Sequence, residues 1–277
     1  MMRLDPITAE RFRRFRGIRR GWWSALILAA LIVLSLVAEL FVNSRALAVH
    51  YQGQTFFPTY GAVIPGTVFG EDYAYETNYK ALKARFEAEE AGNWVIMPLI
   101  PYNPYEINTY DGEFPPHAPS FEREHFLGTD VAGRDVAARL IYGFRIAIWF
   151  SLALLATTYV IGILLGCLMG YRGGWFDLGV QRLIEVWSNV PFLYIIMIVA
   201  SIVTPDFGML VFLMVLFGWM GMTWYMRTAT YKEVSRDYVM AAKALGASDW
   251  RIITQHILPN TVSVIVTFIP FSVAGGI

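Results

Sequence analysis

The sequence predicts an all-α transmembrane bundle interrupted by a ~100-residue external insertion of mixed α/β or irregular structure. Three observations predict it. Hydrophobic residues fill 56% of the 277 positions and charged residues 16%, with a mean hydropathy of +0.46, above the roughly 45–50% apolar content of soluble domains. Apolar runs long enough to cross a bilayer recur near residues 22–42, 146–170, 180–203, 208–226 and 258–277. Between the first two lies a polar, proline-containing stretch, 43–144, that no single span can accommodate.

Residues 1–21 form a basic N-terminus, with Arg3, Arg11, Arg13, Arg14, Arg16, Arg19 and Arg20 against Asp5 and Glu10. The run 22–42 that follows is about 31 Å long as a helix, enough to span. Its apolar core is too long for a cleaved leader, and its alanines lie inside the run rather than after it, so a permanent anchor is expected. The arginines place the N-terminus in the cytoplasm, with Trp22 and Trp23 at headgroup level.

The same orientation puts 43–144 outside the cytoplasm. The segment is acidic, with Glu71, Asp72, Glu76, Glu87, Glu89 and Glu90. Residues 47–58 alternate around Gly53 as a short hairpin. Residues 78–91 read as a helix capped by Thr77 or Asn78, with Tyr79, Leu82 and Phe86 on one face and Gly92 closing it. Recurrent prolines from Pro98 to Pro119 exclude a long helix there. Asp135 can cap a further helix carrying Val136, Leu140 and Ile141 on one side. The grouping of His125, Asp130 and Asp135 matches no metal-ligand spacing, and capping accounts for both aspartates.

In the second run Gly162, Gly166 and Gly170 fall four apart, a ridge for close helix packing, with a glycine-lined path as the alternative. The third run contains Glu185, Asn189 and Pro191, candidates for a translocation path. For Glu185, pairing with Arg182 is an equal competitor. The polar stretch 231–260 predicts two short helices. One covers 238–245, capped by Asp237 and closed by a left-handed Gly246; the other begins at Ser248 or Asp249. Arg227, Lys232, Arg236, Lys243 and Arg251 outweigh Glu233, Asp237 and Asp249, which agrees with a cytoplasmic loop.

Several functions find no support. Net charge is zero, so nothing points to nucleic acid. Cys167 is the one cysteine, and four scattered histidines show no ligand spacing, so no metal site and no catalytic residue are expected. No GxxxxGK[ST] loop is present, and no GxSxG or HExxH occurs in the insertion. The chain therefore has no ATPase of its own and is not expected to be an enzyme.

Two motifs carry a resemblance. Residues 125–145, HFLGTDVAGRDVAARLIYGFR, resemble the GTDxxGRDxxxRxxYGxR signature of the C-type permeases of dipeptide and oligopeptide ABC importers. Ala241-Ala242, Gly246 and Leu258-Pro259 keep the spacing of the family's cytoplasmic "EAA" loop, with Met240 in place of the usual Glu and His256 in place of Ile. A long insertion after the first span is similar to the microcin C (Yej-type) branch. The resemblance implies a type I ABC-importer permease fold in the bacterial inner membrane, with five spans here and a sixth beyond the incomplete last one, so that the chain looks shorter than its family's pattern. It implies peptides or peptide-like cargo, microcin C-like or oligopeptide, moved by alternating access. It implies a second permease subunit, separate ATP-binding subunits holding ATP and magnesium, and a periplasmic peptide-binding protein. Within the coupling loop 227–257 it assigns contact with the ATPase to Asp237, Tyr238, Met240, Ala241, Ala242, Lys243, Leu245, Gly246, Ala247 and Ser248. An ion-driven secondary carrier and a membrane-anchored enzyme with a catalytic 43–144 insertion are the alternatives. Few intramembrane charges, no visible inverted repeat and no catalytic pattern weigh against them.

Overall fold

A computed structural model describes residues 13, 15–110 and 112–277. Most of the basic segment 1–21 (residues 1–12 and 14) lies outside the described residues. The chain divides into two compact units, 1–146 and 147–277.

The first unit opens with α1 (Arg19–Leu36), an exposed 18-residue apolar helix of about 27 Å. It stops six residues before the expected end at Val42. The reason is competition for backbone partners: Asn43 N–H donates to Ile100 O, and Ile100 N–H donates to Phe41 O. Val42 is consequently buried beside Ile100, Tyr102, Ala137 and Ala138.

Next come β1 (Ala48–Tyr51) and β2 (Gln54–Phe56), an antiparallel hairpin. Its two turn residues, Gln52 and Gly53, both have positive φ, 47° and 80°, the backbone that two-residue hairpin turns need. Helix α2 (Tyr79–Glu89) starts where Asn78 Oδ1 accepts from Ala81 N–H, and ends at a left-handed Glu90. β3 (Trp94–Ile96) pairs antiparallel with β1, giving the order β2-β1-β3. Val49 and Val95 meet Tyr79, Leu82 and Phe86 of α2 in one core, with Phe69 between them. Among the described residues of 97–135 there is no helix or strand, as the prolines require.

Helix α3 (Val136–Arg172) begins in the first unit and continues through the second. Its 37 residues make about 55 Å, well beyond the roughly 30 Å of a bilayer core. In the second unit, the expected third span is not one straight helix. It is α4 (Gly174–Ser188) and α5 (Phe192–Ile202), bent by 66°. Pro191 has no N–H to continue α4 and disfavours helix at the residue before it. The last turn tightens instead, Asn189 N–H donating to Val186 O and Val190 N–H to Trp187 O, while the Asn189 side-chain amide donates to Glu185 O at 2.6 Å. Helix α6 (Phe207–Val234) is capped by Asp206, which accepts from Met209 N–H at 2.7 Å. It continues two turns past the expected end at Met226, so the "loop" that follows starts as helix. α7 (Asp237–Ala244) and α8 (Asp249–Gly276) complete the unit, the latter with π-helical turns at Ile252–Ile257.

Counted by length and apolar character alone, the described helices supply four membrane-spanning candidates, or five with the bent pair taken as one. The glycine ridge lies where α3 crosses α6. A Cβ on Gly162 would sit 2.8 Å from Met222 Cβ, on Gly166 2.6 Å from Thr223 O, and on Gly170 2.6 Å from Thr230 Cβ. Only hydrogen fits at those three places.

Candidate functional site: a helix rooted in the bundle and presented outward

Helix α7 forms between two backbone punctuations. Ser235 and Arg236 break it from α6, and Gly246 at φ +79° ends it. That φ is open to glycine and strained for other residues. Asp237 is not the cap. It is the first helical residue, the N-cap position is Arg236, and no side chain caps it. Asp237 in the first turn and Lys243 in the last still complement the helix dipole. Beyond Gly246, Ser248 Oγ accepts from Arg251 N–H and starts α8.

The helix has an inner and an outer side. Val239 and Ala242 are buried in one cluster with Ile252, Ile253 and Ile257 of α8, Met222 and Met226 of α6, and Tyr159 and Cys167 of α3. Ala242, expected to face a partner, instead packs inward against the chain's own core. Asp237, Tyr238, Met240, Ala241, Lys243, Leu245, Gly246 and Ser248 are exposed and Ala247 half-buried. Leu245 is 88% exposed and Trp250 60%. A cleft of about 480 Å³ lined by Tyr171, Val234, Val239, Met240, Lys243 and Ala244 runs beside the helix.

Polar contacts steady the frame. The Tyr238 hydroxyl donates to Glu233. Burial, then that carboxylate, pushes its pKa up to about 12, so it is a neutral donor at physiological pH. Tyr171 donates to Asp249 at 3.0 Å, and Lys243 lies over the Tyr171 ring. Met240 occupies the position of the family's Glu as an exposed thioether, with no charge to offer.

The translocation candidates do not converge on a cavity. Glu185 pairs with Arg182 at 2.5 Å, both side chains largely exposed, and Pro191 is the N-cap of α5. None of Glu185, Asn189 and Pro191 lines the cavity of about 290 Å³ between α3, α6 and α8, whose walls include Tyr159, Gly218, Tyr225, Phe268 and Ser272. In the first unit, His125 and Asp135 are fully buried: Nδ1 lies 2.7 Å from the carboxylate, while the Tyr110 hydroxyl is 2.9 Å from Nε2. Asp135 also caps α3, accepting from Ala138 N–H at 2.7 Å. Among the described residues no group of three or more His, Cys, Asp or Glu is placed to hold a metal.

Two features had no sequence signal. Trp250 sits outside the motif spacing. Asp177 and Arg227, 50 positions apart, form a buried ion pair at 2.5 Å that local periodicity cannot reveal.

Comparison with known proteins gives this geometry a context. Residues 162–277 match the family described as "Binding-protein-dependent transport system inner membrane component". The whole chain is 40% identical to the inner membrane ABC transporter permease protein YejE of Escherichia coli (strain K12), covering 80% of that protein. It is 36% identical to the peptidoglycan transport system permease protein YejE of Agrobacterium fabrum, over 99% of this chain and 77% of the relative. Identity to the dipeptide transport system permease protein DppC of Bacillus subtilis is 31%, over 66% of this chain and 56% of that one.

Proposed function

The chain belongs to the binding-protein-dependent ABC-transporter permeases of the peptide class, and from that membership we propose that α7 is the coupling helix through which a separate ATPase drives it. The carrying observation is the two-sided helix. Val239 and Ala242 root it in the bundle, while Met240, Leu245 and Trp250 stand exposed as apolar anchors for a groove on the ATP-binding subunit. Lys243 and Asp237 supply the charge contacts that Met240 does not. Closure of the nucleotide-bound ATPase dimer would move α7 and, through the attached α6 and α8, reorient the pathway between its two accesses.

The remaining assembly follows the family: a second permease subunit, ATP-binding subunits holding ATP and magnesium, and a periplasmic peptide-binding protein. The arginine-rich start and the basic 227–251 segment support a cytoplasmic N-terminus and a cytoplasmic α7. That orientation makes 43–144 a periplasmic insertion, with its acidic surface available to a binding protein or the second permease. The cargo class is peptides and peptide-like compounds, a reading supported by the names of the Agrobacterium fabrum relative, a peptidoglycan transport system permease, and of DppC, a dipeptide transport system permease.

Purification of the chain with its native companions tests the reading. An ATPase and a peptide-binding protein identified by mass spectrometry are expected. Their consistent absence overturns it. In the assembled complex, Gly246→Pro should abolish ATP-driven uptake while leaving membrane insertion intact, because proline fixes φ near −65° where the backbone needs +79°. Uptake at the wild-type rate would count against a coupling role.

A further inference from the structure

The α4–α5 arm is lightly held. Asp177 and Ile184 are the buried residues of α4, and α5 has none. Two anchor points tie the arm to α6. At the bend, Trp187 Nε1–H donates to Leu216 O at 2.8 Å, and its ring stacks on Phe217. In the first turn of α4, the Asp177 carboxylate, 4% exposed, accepts from Arg227 Nε and Nη2 at 2.5 and 2.6 Å. It also accepts from the Tyr231 hydroxyl at 2.5 Å and from Gln181 Nε2 at 2.9 Å.

A bidentate guanidinium–carboxylate pair fixes orientation as well as distance. A carboxylate this deeply buried also holds its partners tightly, because losing one strands a charge away from water. Arg227 and Tyr231 stand one turn apart at the end of α6. Only Ser235 and Arg236 separate that helix from α7. The one strongly polar anchor of the arm is thus placed beside the helix that the functional reading sets in motion.

We propose that Asp177, Arg227 and Tyr231 form a clamp that makes the α4–α5 arm follow the cytoplasmic end of α6 when α7 is displaced. These are positioning residues, acting through helix geometry rather than on cargo or nucleotide. With the clamp intact, α4 and the end of α6 move as one body. With it broken, Trp187 and Phe192, both against Phe217, still hold the bend near α6, but the first turns of α4 no longer track α7, and ATP hydrolysis continues without moving the arm. The inference rests on the coupling role proposed above.

The test uses the full complex with its co-purified ATPase, in nanodiscs. Spin labels are placed at Trp175→Cys, 90% exposed in the first turn of α4, and at Ser235→Cys in a Cys167→Ala background, and distances are measured without nucleotide and after vanadate trapping. With the native clamp the distance should change by less than about 2 Å between states; with Asp177→Asn it should shift by about 5 Å or broaden comparably, the scale of helix displacements in switching proteins. The ATPase rate should stay within about twofold of wild type, a separation that mere misfolding does not produce. Arg227→Lys keeps the charge but loses the fork, so it should broaden the distribution even if Asp177→Asn fails to accumulate. Wild-type distances in either variant overturn the clamp. A wild-type complex that traps no nucleotide overturns the coupling reading instead.

Discussion

In the first unit, the deepest contacts are made by large and polar side chains. Phe69, Tyr79, Leu82 and Phe86 fill one core, and His125 and Asp135 hydrogen-bond at 0% exposure. In the second unit, the closest helix contact is made by glycines, with α3 and α6 approaching until a single methyl group would collide. The difference follows from solvent. A segment that folds in water gains from removing apolar surface and can bury a polar pair whose hydrogen bonds are complete. Helices in lipid gain nothing from hiding leucine from leucine, so close backbone approach and dispersion take over. Side-chain deletion should therefore hurt the first unit most, and side-chain addition the second.

The largest effect is expected at Asp135. Asp135→Ala removes the cap of α3 and leaves His125 Nδ1 buried without its partner, a loss of about 2–4 kcal/mol from the missing cap and the unsatisfied buried group together. Limited proteolysis of the solubilised chain should show cleavage within 97–135 at protease levels that spare the wild type. Wild-type protection would mean that the network is not what holds that proline-rich stretch.

A smaller effect in the opposite chemical direction is expected at the ridge. Gly166→Val puts atoms where Thr223 O and Met226 Cβ already stand, at 2.6 and 2.7 Å from a Cβ. Overpacking should cost about 1–3 kcal/mol, read as a lower unfolding temperature in detergent. Gly179→Ala is the control, because nothing lies within 4 Å of its Cβ. It should be neutral or stabilising by up to about 1 kcal/mol. Equal losses in both variants would refute the idea that close approach carries the α3–α6 contact.

Much of this was readable from local pattern. Apolar runs gave the helices, Gly53 marked the hairpin and Gly246 the end of α7, because each of those signals resides within a few residues. What escaped depended on partners distant in sequence. Val42 left its helix for Ile100. The third run broke at Pro191, whose effect the run's apolar character masked. Asp237 lost the capping role to a backbone that needed no side chain there, and Ala242 turned inward because Ile252 and Ile257 lie beneath it. For the site, the motif spacing found α7 but not Trp250, nor the Asp177–Arg227 pair behind it.

The smallest effect at neutral pH concerns Asp130, which extends the comparison from cores to surfaces. Its Oδ1 accepts from Ala132 and Arg134 N–H at 2.9 and 3.0 Å, and its Oδ2 meets Arg134 and Arg139. The Arg134 backbone N–H first, and its guanidinium next, lower the carboxyl pKa from 3.8 to about 2. A carboxyl depressed in the folded state adds stability that is fully present above its unfolded value and is lost as pH falls through the folded one. The contribution of Asp130 to the 128–135 turn should therefore be constant from pH 7 down to about 4 and weaken between 3.8 and about 2. Asp130→Asn, which cannot ionise, should flatten that limb of an unfolding-versus-pH curve and leave the ridge contact in the second unit untouched. A wild-type curve that already falls between pH 6 and 5 would show that another group governs the turn.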